Sequence, residues 1–81
     1  MDCIVYRGED GYMISVGTKE ECLHVVKELM EDYEVVEPYV EGKTCPFEQG
    51  KFYFFITEPT ADDSGSFNQK LVYHSGYLKH K

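Results

Sequence analysis

Apolar positions along this chain alternate first with a period of two, then with a helical period, then with a period of two again. Cys3-Ile4-Val5-Tyr6-Arg7 and Tyr12-Met13-Ile14-Ser15-Val16 are short β-prone runs separated by Gly8-Glu9-Asp10-Gly11. Turn residues at both edges of that loop predict a β-hairpin over residues 3–16. With those four residues as the loop, Arg7 faces Tyr12, Val5 faces Ile14 and Cys3 faces Val16. One face then carries Cys3, Val5, Ile14 and Val16. The other carries Ile4, Tyr6, Met13 and Ser15, and is more apolar than a fully solvated face requires.

From residue 18 the period lengthens. Thr18-Lys19-Glu20-Glu21 reads as a capping box. In it the Thr18 hydroxyl accepts from the Glu21 N–H, and the Glu21 carboxylate reaches back to the Thr18 N–H. At about 100° per residue, Cys22, Leu23, Val25, Val26, Leu29, Met30 and Tyr33 share one arc, while Glu20, His24, Lys27, Glu28 and Glu31 take the other side. An amphipathic helix over 18–32 follows, with its apolar arc on the hairpin.

Three further strands are expected. Residues 33–40 (YEVVEPYV) form an edge strand or one broken near Pro38, because proline cannot donate to a ladder. Residues 51–58 (KFYFFITE) are apolar or aromatic on both faces, as a central strand would be. Residues 70–78 form the last strand, interrupted at Ser75-Gly76, and the tail Lys79-His80-Lys81 should fray. The stretch 59–69 reads as a polar loop. The order ββαβββ gives a single α+β domain over 1–81, with an antiparallel sheet of four to five strands against one helix.

Composition supports a folded domain. The chain has 81 residues, 42% hydrophobic, with seven Tyr and five Phe, too rich in large apolar groups for disorder despite a net charge of −7. The charge is uneven. Residues 1–63 hold all fifteen acids and five bases, for −10, whereas 64–81 hold three lysines and no acid, for +3. An acidic body disfavours direct nucleic-acid binding. No apolar run reaches the ~20 residues a membrane helix needs, and three scattered cysteines do not make a disulfide framework. A cytoplasmic protein with reduced thiols is expected.

Candidate chemistry is thin. Cys22 falls on the apolar arc of the helix and Cys3 points to the core. Cys45 falls on a loop, where His74 could reach it, so a small enzyme or ligand-binding domain centred on the Cys45 loop and His74 is one alternative. Cysteines and histidines show no zinc spacing, and Asp62-Asp63-Ser64-Gly65-Ser66 resembles a calcium loop only faintly. No glycine-rich phosphate loop occurs. No catalytic residue, metal or cofactor is assigned.

The sharper signal is electrostatic. Glu28, Glu31, Asp32, Glu34, Glu37 and Glu41 follow one another without a single Lys or Arg between them. Those ending the helix oppose its macrodipole, at about 0.3–1 kcal/mol each. Glu21, Glu28 and Asp32 would form a helical column with spacings of about 10 and 6 Å, loosely like phosphates. These six acids, with Tyr39, are the expected surface for a partner. The expected function is a non-enzymatic protein-binding module that meets a basic, nucleic-acid-handling protein, as a phage-type inhibitor or nucleic-acid mimic would. A structural homo-oligomer pairing through sheet edges is a further alternative; a monomer or weak homodimer through an edge strand is expected.

Overall fold

The computed structural model describes residues 2–40, 50–61 and 67–81. Its elements follow the expected order with one strand more, because the expected last strand divides in two: β1 (Cys3–Arg7), β2 (Tyr12–Gly17), α1 (Lys19–Leu29), β3 (Tyr33–Glu37), β4 (Phe54–Ala61), β5 (Phe67–His74) and β6 (Tyr77–His80). The fold is α+β. Its antiparallel strands divide into a four-stranded sheet, β2-β1-β4-β5, and a separate pair, β3-β6.

The helix begins where the capping residues place it. Thr18 has extended backbone dihedrals and its Oγ1 accepts from the Glu21 N–H at 3.2 Å. The returning Glu21 carboxylate accepts from the Thr18 hydroxyl, also at 3.2 Å, rather than from the backbone N–H. Cys22 and Val26 are buried against the sheet. α1 ends at Leu29, and Met30–Asp32 tighten into a 3-10 turn before β3. The core contains Cys3, Val5, Cys22, Val26, Phe54, Ile56 and Leu78, and burying each large aliphatic or aromatic side chain is worth roughly 1.5–3 kcal/mol.

The hairpin register differs from simple alternation. Val5 pairs with Ser15 but Tyr6 pairs with Met13, so Ile14 is an extra, bulged residue. Cys3 therefore faces Gly17, and Val16 faces Ile4 on the side away from the helix. Ile14 still packs against the core, whereas Val16 is 49% exposed.

β4 is central, as its two apolar faces require. It pairs with β1 through Ile4↔Thr57 to Arg7↔Phe54, and with β5 from Phe55↔His74 to Ala61↔Phe67. It extends through Pro59 to Ala61, and β5 starts at Phe67, so strand occupies part of the expected 59–69 loop. Pro59 is tolerated because it lies past the end of β1, where β4 has a partner on one side only.

The chain turns a corner at Ser75-Gly76. The Phe54 N–H donates to the Ser75 hydroxyl at 2.9 Å, and Ser75 N–H donates to the Phe54 carbonyl at 2.9 Å. Gly76 takes φ +82 with Val35 and Glu37 close by, where a side chain would collide with β3. β6 then leaves the main sheet for β3, pairing Tyr33↔His80, Glu34↔Lys79 and Val35↔Leu78. The tail is thus not frayed at Lys79 and His80, and the Lys81 N–H donates to the Asp32 carbonyl at 3.2 Å. β3 ends at Glu37, directly before Pro38.

Candidate functional site

The acidic residues expected to meet a partner follow the end of α1. Glu28 lies in its last turn, Glu31 and Asp32 in the 3-10 turn, and Glu34 and Glu37 on β3; all are exposed. Glu41 lies outside the described residues. The helical column of carboxylates does not persist. Glu21 is held at the N-cap, and the chain leaves α-helical geometry before Asp32.

Basic groups meet part of this surface. Lys79 Nζ is 3.1 Å from Glu34, across from it in the β3-β6 register. Lys51 Nζ is 3.6 Å from Glu37 and also sits over the Tyr77 ring, 4.2 Å from its centroid. His24 Nε2 lies 2.9 Å from Glu28, an ion pair only when the imidazole carries a proton. Among the described residues, Glu31 and Asp32 have no opposite charge within ion-pair distance. Next to them on β3, Val35 and Val36 are 49% and 54% exposed.

Tyr39 is half-buried and part of an internal stack. Its ring lies 4.1 Å and 11° from His74, and the other face of His74 lies 4.8 Å and 12° from Tyr53. Tyr77 meets both His74 and Tyr53 edge-on. Tyr53 is fully buried because Gly8 lets its ring settle on the backbone: a Cβ at Gly8 would lie 2.2 Å from that ring. On the same face Tyr6 stacks on Phe55 at 5.1 Å. These rings cover much of the sheet face away from the helix. The cover was hard to foresee, since it joins residues distant in the chain; the signal was the aromatic alternation of Tyr53 and Phe55.

His74, proposed as a partner of Cys45, has both ring faces occupied and accepts from the Gly76 N–H through Nδ1 at 2.9 Å. Cys45 and the Asp62–Ser66 stretch lie outside the described residues. Cys3 and Cys22 are buried free thiols. The Cys22 Sγ donates to the carbonyls of Cys3 and Gly17 at 3.4 and 3.7 Å, and burial raises its pKa, the reverse of nucleophilic activation. Among the described residues no cluster of His, Cys, Asp and Glu could hold a metal ion, and no helix is long and apolar enough to cross a membrane.

Among the described residues, the Thr57 hydroxyl is buried in β4 without a hydrogen-bond partner. At the hairpin turn, Arg7 holds Asp10 through paired hydrogen bonds, and the Asp10 carboxylate also accepts from the Tyr12 N–H at 3.1 Å. Those bonds, the Arg7 one foremost, bring the Asp10 pKa down to about 2. This pair fixes the turn.

A scan against protein-family models, a search of curated proteins and a search of solved structures found no match to this chain.

Proposed function

We propose that the protein is a non-enzymatic binding module whose acidic surface at the end of α1 docks on a basic protein. The supporting observation is that Glu31 and Asp32 sit exposed at the negative end of a helix with, among the described residues, no opposite charge within ion-pair distance. Lys27 is the base in the last turn of α1, but the 3-10 turn that follows holds none, so both carboxylates oppose the helix dipole. Glu28 borders them, and the exposed Val35 and Val36 supply apolar contact beside the charge. Glu34 and Glu37, already near lysines, form the rim. A Lys/Arg-rich groove of the kind that holds nucleic acid is the complementary partner, and this module would block it as a phosphate mimic. Association would be fast and salt-sensitive.

The test is affinity capture from native lysate at low salt, eluted by a salt gradient, with the unaltered chain and the triple variant Glu28→Lys, Glu31→Lys, Asp32→Lys as baits. The triple variant should keep its fold and lose the salt-eluted partner. Equal capture by both baits would sink the reading.

A further inference from the structure

We propose that two copies of this chain associate edge to edge through β2, about a two-fold axis between Ile14 and Ser15. This surface is separate from the acidic end of α1 and does not depend on the function proposed for it.

β2 is an outer strand of the four-stranded sheet. Of the strands described, it alone has no charged residue; the others carry Arg7, Glu34 and Glu37, Glu58, Lys70 or Lys79. Free edges are ordinarily guarded by charge or proline. Here Tyr12, Met13 and Val16 are instead 61%, 53% and 49% exposed.

The register makes this edge self-complementary. An antiparallel ladder joins residues whose side chains share a face. In a regular strand, Met13 and Val16 would point to opposite faces. The bulge at Ile14 changes that: Met13 pairs with Tyr6 and Val16 with Ile4, which share the face away from the helix, while Ile14 and Ser15 turn toward it. The two-fold then sets Met13 against Val16 of the second copy, Ile14 against Ser15, and Tyr12 against Gly17. Every pair matches faces. Bulges elsewhere serve to turn an edge away from pairing; this one brings its faces into step. The two sheets become one continuous sheet with both helices on the same side, and an isologous contact of this kind closes at two copies rather than running on as a fibre.

Charge selects a second copy at this edge. Each chain carries −7, so copies repel over most approaches, but β2 holds none of the acids. Added salt should therefore strengthen this association by screening the two bodies, whereas it weakens binding to a basic partner.

Sedimentation of the full chain over a concentration series should show a monomer passing to a dimer, with more dimer at higher salt. Met13→Lys and Val16→Glu should each weaken the dimer roughly tenfold, from two altered cross-strand pairs. The double variant sets the introduced lysine of one copy opposite the introduced glutamate of the other, and should recover the dimer. A chain that stays monomeric at millimolar concentration, single variants that dimerise normally, or a double variant that does not recover would each overturn the proposal. Should a variant lose its fold, hydrogen exchange in the unaltered chain decides: protection of the 12–17 amides must rise with concentration, and constant protection overturns it.

Discussion

Gly8 shows how much one residue can fix. Its backbone needs no unusual dihedral; what it supplies is the missing side chain, which leaves room for the Tyr53 ring and lets the Gly8 N–H donate to the Tyr53 carbonyl at 2.7 Å. The Tyr39-His74-Tyr53 stack builds outward from that ring. Gly8→Ala should lower stability by about 1–3 kcal/mol, as overpacking does, and disturb the tyrosine near-ultraviolet signal; urea denaturation would measure it. Asp10 gives a prediction with a definite sign. Its folded pKa lies below the ordinary 3.8, so the Arg7 pair contributes above that range, and the contribution is lost as pH falls from about 4 through about 2. Carboxyl chemical shifts should follow that low titration in the native chain and return toward the ordinary value in Arg7→Ala.

At the scale of elements, β6 joins parts that the main sheet does not. It buries Leu78, brings His80 against the Tyr33 ring at 4.6 Å and places Lys79 beside Glu34. Ending the chain at Gly76 should therefore cost at least about 2 kcal/mol, the low end for losing one buried leucine, and free β3; denaturation and hydrogen exchange would report both. The N-cap of α1, its buried arc, the central place of β4 and the break at Ser75-Gly76 were legible because local patterns carry them. The sheet that β6 joins was not, because it depends on Gly76 at φ +82 and on the Ser75 hydroxyl meeting the distant Phe54 N–H. Nor was the Ile14 bulge, which only pairing with β1 reveals. Among the candidate residues, the exposure of Glu28 and Glu31 was readable from helical phase. The lysines that meet Glu34 and Glu37 were not, since Lys79 arrives through the β3-β6 register and Lys51 from the approach to β4.

For the whole molecule, sequence suggested an acidic body and a basic end. The fold lays part of that end on the body, so within the acidic run from Glu28 to Glu37 the carboxylates with no opposite charge at ion-pair distance among the described residues are Glu31 and Asp32. The two proposed surfaces should then respond to salt with opposite signs: capture of a basic partner falls as salt rises, and self-association through β2 increases. One salt series followed by both capture and sedimentation separates them.

The β1-β4 pairing has a consequence for synthesis. β1 and β2 are neighbours in the chain and can zip together soon after leaving the ribosome, but the other edge of β1 has no partner until Phe54–Thr57 have been made. At about 5–20 residues per second that is an interval of seconds. During it the nascent hairpin displays Ile4, Val5 and Tyr6 along an unclaimed edge, so the time of greatest aggregation risk comes before β4 emerges, while the chain is still being translated.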